Sequence, residues 1–145
     1  SRQPFAEIVL CINPGVQQGQ YKKPLLRNKV NGAWPNAFCY RFTTPDKLIV
    51  ISGDTALDKK VEDYAAGADI LIHEVFSEAG VAKQNLPGKH TSSYELGEFT
   101  SRAKPGLLIL YHMLFYAADE ESILNEVRKK YDGIFNLAND LDVFE

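Results

Sequence analysis

The sequence predicts an α/β fold, a largely parallel β-sheet with helices laid over it. Three observations carry that expectation. Short apolar runs of strand length recur along the chain, segments with helical spacing of apolar residues separate the last four of them, and turn or capping residues stand at most junctions. Strand, helix, strand repeated in this way is the pattern of βαβ crossovers. At 145 residues the chain is long enough to bury a core and is expected to form one domain over residues 1–145.

Each element has its own local reason. Phe5 to Ile12 is a mostly apolar run closed by Asn13-Pro14-Gly15, where Pro sets φ and Gly relieves strain, so a first strand is expected to end there. Gln17 to Asn36 has weak patterning, punctuated by Lys22-Lys23-Pro24 and Asn31-Gly32, and reads as loop with room for an edge strand. Ala37 to Thr43 and Lys47 to Ser52 flank Thr44-Pro45-Asp46 as a hairpin, with Leu48-Ile49-Val50-Ile51 expected to be buried on both faces. Beyond Gly53 the period changes. Leu57, Val61, Tyr64 and Ala65 fall at helical spacing, with Thr55 able to cap the start and Gly67 placed to end the helix. Asp69 to His73 reads as the next strand, and a long loop containing Gly80, Pro87 and Gly88 follows. Ser92 and Glu95 offer a capping box for a helix running to about Ala103, which Pro105-Gly106 stops. Leu107 to Tyr111 is another apolar strand. Asp119-Glu120-Glu121 opens an amphipathic helix carrying Ile123, Leu124 and Val127 and ending near Asp132-Gly133, and Ile134 to Ala138 returns as the last strand.

Composition narrows the class of function. Hydrophobic residues at 45% and charged residues at 24% exclude disorder, collagen and coiled coil. A net charge of −3 gives no overall pull toward nucleic acid. Two cysteines, Cys11 and Cys39, lack the spacing of a zinc knuckle or a redox motif, so a reducing, cytoplasmic setting is expected. No apolar run approaches the roughly 20 residues of a membrane span, and Ser1-Arg2-Gln3-Pro4 does not open a signal peptide, so no membrane partner is expected.

In parallel sheets ligands gather outside the carboxyl ends of the strands. The strand ending at Ser52 is followed by Gly53-Asp54-Thr55, the next ends at His73-Glu74, and the third at Tyr111-His112, while His90 precedes the helix that opens near Ser92. A single histidine at a strand end is more often a hydrogen-bonded structural residue than a ligand. Here all three histidines of the chain fall on one rim beside Asp54 and Glu74, a donor set suited to Zn, Mn or Fe and to acid–base chemistry. A phosphate-cradling Gly-rich loop is absent.

Ile51-Ser52-Gly53-Asp54-Thr55, Leu71-Ile72-His73-Glu74, His90-Thr91-Ser92 and Leu110-Tyr111-His112, in that order, resemble the C-terminal half of a metallo-β-lactamase-fold hydrolase of the ribonuclease Z and arylsulfatase-like branches. Ala33-Trp34-Pro35-Asn36-Ala37-Phe38-Cys39-Tyr40-Arg41-Phe42 resembles the segment preceding the Ser-Gly-Asp-Thr strand, so the likeness runs from about Lys29 onward. It implies an α/β fold that is half of a four-layer αββα sandwich, with a mixed sheet and covering helices. By the same resemblance Asp54 bridges two divalent transition-metal ions, zinc first among them, and His112 is a terminal ligand. Glu74 orients His90 to protonate the leaving oxygen. His73 is given a supporting role, because neighbours on a strand point to opposite faces. The implied substrate is a small-molecule ester, sulfate ester or phosphodiester, RNA included, attacked by metal-activated water.

The resemblance also implies ligands that the chain does not carry. No histidine precedes His73, so the family's His-x-His-x-Asp-His motif is absent, and Asn31 stands where a further ligand histidine is expected. Cys39, in place of the usual Gly, is expected to be a small buried residue, and Trp34 a packing residue. Half a sandwich leaves an apolar sheet face in water. Cover is expected from the rest of a longer protein, a second copy as homo-oligomer, or a second chain. The competing expectation is a non-catalytic half-domain serving assembly or regulation.

Overall fold

The computed structural model describes residues 7–12, 38–81, 89–113 and 119–144, with 7–12 and 38 as backbone only. The Asn13-Pro14-Gly15 turn, the Gln17 to Asn36 region with Asn31 and Trp34, and Pro87-Gly88 lie outside them. In chain order the elements are β1 (Glu7–Ile12), β2 (Phe38–Thr43), β3 (Leu48–Ile51), α1 (Lys59–Ala65), β4 (Ile70–Glu74), α2 (Ser93–Ala103), β5 (Leu107–Tyr111), α3 (Glu120–Arg128) and β6 (Phe135–Leu137). The strands form one mixed sheet in sequence order, antiparallel from β1 to β3 and parallel from β3 to β6. The tight Thr44 to Lys47 turn, closed by Thr44 N–H to the Lys47 carbonyl at 2.8 Å, makes β2 and β3 an antiparallel hairpin, and each parallel step takes a helical crossover.

Capping agrees with the sequence at α2 and α3 and departs from it at α1. Ser92 and Glu95 form the reciprocal capping box, and Asp119 accepts from Ser122 N–H. At α1 the cap is Asp58, which accepts from Lys60 N–H at 2.8 Å. Thr55 lies too early for that role: α1 begins only at Lys59, and the Thr55 hydroxyl donates to the Ala56 carbonyl. Gly67, at φ +67°, follows the end of α1 as expected. α2 is closed by Lys104 in the left-handed conformation, one residue before Pro105, and α3 stops at Arg128, short of Asp132-Gly133.

Helix residues Val61, Ala65, Leu96, Phe99, Ala103, Ile123 and Val127 pack on Cys39, Val50, Leu71, Leu108 and Leu110, all nearly inaccessible. In β3 only Val50 is fully buried, whereas Leu48, Ile49 and Ile51 are half-buried. The expectation of burial on both faces is corrected here, because the helix-side core ends at one face of the sheet. The opposite face holds two registered rows, Phe42–Ile49–Ile70–Leu107 and Tyr40–Ile51–Ile72–Ile109. Strand alternation sets them away from the helices, and none belongs to the helix-side core. No charged residue interrupts either row.

Candidate active site

Two left-handed residues aim the site. Gly53, at φ +62°, turns the chain at the end of β3 so that Asp54 follows at the rim. His112, at φ +63°, turns immediately beyond β5. A non-glycine residue in that region is held at some cost, and such residues concentrate at functional sites. Glu74 is the last residue of β4, and His90 comes from the segment leading into α2.

Glu74 is the hub. Its carboxylate accepts from Thr55 N–H at 2.5 Å and lies 2.9 Å from His90 Nδ1. Ser52 Oγ accepts from Glu74 N–H at 3.1 Å and donates to the Gly53 carbonyl at 2.8 Å, and Thr91 Oγ1 donates to the Thr55 carbonyl at 2.8 Å. The turn that carries Asp54 is thereby tied at both ends to the strand and loop that carry Glu74 and His90. The Glu74 side chain is fully buried and that of His90 nearly so, while Asp54 and His112 are open to solvent. Phe76 stacks on the His90 ring at 4.4 Å and 11°, fixing its plane, and His112 lies 5.4 Å from it.

Burial pushes the Glu74 carboxyl up to about 9, against the lowering by the Thr55 and Thr91 N–H groups, and burial also pushes His90 down. Near neutral pH the pair therefore retains one shared proton between Glu74 and Nδ1. Wherever on that line the proton sits, Nε2 of His90 carries a hydrogen, the form in which an imidazole can protonate an oxygen. Tyr111, facing Ser52, Asp54 and Glu74, is pushed up to about 12 by burial and stays a neutral phenol.

His112 Nδ1 stands 3.6 Å from both Asp54 Oδ1 and Glu74 Oε2. Two ligands of a tetrahedral ion bound at about 2.1 Å are separated by roughly 3.4 Å, so each carboxylate oxygen stands close to ligand spacing from His112 Nδ1. Donor atoms of Glu74, His90 and His112 all lie within 4.8 Å of one another. Carboxylate oxygen and imidazole nitrogen suit a divalent transition ion. The set fits one such ion; a second would need ligands from beyond the described residues.

Four of the five residues singled out from the sequence thus share one rim: Asp54, Glu74, His90 and His112. His73 is set apart in the core, fully buried against Phe99 at 5.1 Å. Its Nδ1–H donates to the Glu74 carbonyl at 2.8 Å, burial lowers it to about 4, and Nε2 has no hydrogen-bond partner among the described residues. Thr55 and Thr91 stood inside the motifs but their clamping role was not legible; Phe76 carried no local signal.

No family model matches the chain. Among solved structures it is similar to the metallo-β-lactamase-fold protein YhfI from Bacillus subtilis, with TM-score 0.68 and 23% identity over 76% of this chain and 45% of that one. It is also similar to the short form of human tRNase Z, with TM-score 0.57 and 18% identity over 76% of this chain and 38% of that one. These likenesses and the observed sheet define the chain as part of a metallo-β-lactamase fold. Among curated relatives, ribonuclease Z of Shouchella clausii is 36% identical over 101 residues, 68% of this chain and 32% of the relative. Ribonuclease BN of Escherichia coli O139:H28 is 32% identical over 103 residues, 69% of this chain and 33% of the relative. Within the fold its sequence is thus similar to part of the ribonuclease Z branch, and the chain spans about a third of the length of those relatives.

Proposed function

We propose that the chain is the acid- and carboxylate-bearing part of a metal-dependent hydrolase that cleaves phosphodiesters, with RNA as substrate class. The observation that carries this reading is the convergence of Asp54, Glu74, His90 and His112 at the carboxyl ends of three neighbouring strands. The ribonuclease names of the relatives support RNA over a sulfate ester.

Asp54 and His112 would hold a divalent ion, zinc first, while Glu74 stays paired with His90. Such an ion, when bound, brings a water toward neutral pKa and draws charge off phosphoryl oxygens. This chain's own part is then positional and protonic. Gly53 and the Ser52 and Thr55 clamps hold Asp54 in place. Glu74 and Phe76 fix the His90 ring, and its Nε2–H passes a proton to the oxygen that leaves. Elemental analysis of protein equilibrated with zinc and then freed of excess ion is expected to find retained metal, with phosphodiester cleavage that a chelator removes. Protein that takes up no metal under any loading condition would overturn the reading.

A non-catalytic half-domain, acting in assembly or regulation, is the second reading. It is favoured by Asn31, which stands where the resemblance implies a ligand histidine. It predicts that Asp54→Ala and His90→Ala leave the chain's cellular effect intact; loss of the effect from folded variants argues against it.

A further inference from the structure

Cys11 and Cys39 are distant in sequence yet are register partners in the β1–β2 ladder. Directly opposed positions of an antiparallel pair have their Cα atoms about 4.5 or 5.5 Å apart. Both spacings lie inside the window of about 4.4–6.8 Å that a disulfide spans. Cys39 is 2% exposed within the helix-side core. One step along from the Tyr40–Ile51 pair, it stands beside Ser52, whose hydroxyl bonds both Glu74 and Gly53. Among the described strands β1 is the outermost, and an edge strand held by a single ladder opens more readily than an interior one, which admits a small oxidant.

We propose that Cys11 and Cys39 are a reversible thiol–disulfide pair that, when oxidised, staples β1 to β2 next to the turn bearing Asp54. With a peroxide as oxidant, one thiolate sulfur attacks a peroxide oxygen, the O–O bond breaks, and a sulfenic acid and the first water result. The second thiolate attacks that sulfur, the S–S bond forms, and hydroxide leaves to take up a proton as the second water. Two electrons pass to the peroxide and two S–H bonds are lost. A dithiol reverses the exchange through a mixed disulfide. The proposal does not depend on the metal reading.

The test uses the full chain treated with hydrogen peroxide, denatured, and titrated for thiols alongside intact-mass measurement. The expected result is loss of both titratable thiols, a mass lower by about 2 Da for the two hydrogens lost on disulfide formation, and a proteolytic fragment pair joined through Cys11 and Cys39. Dithiothreitol should restore both thiols. Cys11→Ser and Cys39→Ser should each abolish the internal link; if Cys39→Ser does not fold, Cys11→Ser at the outer strand carries the control. Unchanged thiols, a mass gain from sulfinic acid, or a link only between chains would each overturn the proposal.

Discussion

At the scale of single residues the site depends on one buried carboxylate. Glu74 ties together Thr55 N–H, His90 Nδ1 and, through its own N–H, Ser52. If His90 delivers a proton, its value depends on how badly the leaving group needs one. His90→Ala is expected to slow cleavage of an RNA phosphodiester by about 10²–10⁴ while slowing a nitrophenyl phosphodiester, which leaves as a stable anion, far less. Comparing kcat on the two substrates checks this; equal losses would assign His90 to binding instead. His73 gives a different signature. Its folded value near 4 lies below the ordinary 6.5 because burial disfavours the charged ring. Both states are neutral above about pH 6.5, so nothing is lost there. As pH falls from 6.5 toward 4 the unfolded chain takes up a proton that the folded chain refuses, so stability declines over that window by on the order of 3 kcal/mol. His73→Leu should flatten that decline, read from denaturant midpoints at pH 7 and pH 5. His73 and His112 were legible because each closes or follows an apolar run, and His90 because it stands just before the capping box of α2. Phe76 was not, since a ring that stacks on His90 looks in sequence like any other core aromatic.

At the scale of elements, α2 and α3 meet at a glycine. A Cβ on Gly97 would come 2.9 Å from the Val127 carbonyl oxygen and 2.9 Å from Lys130 Cβ, and the former is backbone that cannot swing aside. Gly97→Ala is therefore expected to destabilise the chain by about 1–3 kcal/mol even though alanine is the better helix former. A chemical-denaturation curve with an unchanged slope and a lower midpoint is the expected reading. Ser92→Ala removes one half of the capping box and is expected to cost about 0.5–2 kcal/mol by the same measurement. The box was legible because Ser92 and Glu95 are three residues apart, and the interaction is local. The cap of α1 was misplaced for the opposite reason. Thr55 has the right side chain for a cap, but a carboxylate nineteen positions downstream holds its backbone in the turn that carries Asp54, and the helix begins only at Lys59 behind Asp58. Local propensity carries no information about that competitor. The opposition of Cys11 and Cys39 likewise belongs to strand pairing, which spacing along the chain does not encode.

At the scale of the molecule, the order of the elements and the mixed sheet followed from alternating patterns and from the four strand-end motifs. The layering, half of a four-layer sandwich, followed only from the resemblance those motifs carry. No helix among the described residues is long and apolar enough to cross a membrane. What remains is the face of the sheet that no helix among the described residues covers, with half-buried Ile49, Ile51, Ile70 and Ile72 and a buried Ile109. Any polypeptide that covers this face binds the folded chain and has nothing to bind on the unfolded one. Stability then becomes a mass-action quantity, growing with the logarithm of the covering partner's concentration. For the purified chain the available cover is another copy, whose uncharged rows match its own without repulsion. The melting temperature should therefore rise with the chain's own concentration, and Ile72→Lys should make it independent of concentration. A melting temperature constant across a hundred-fold dilution would show that the isoleucine face is satisfied within one chain. A rise would mean that the chain's unfolding free energy is fixed only at a stated concentration, so that its folding is a property of the solution it is in.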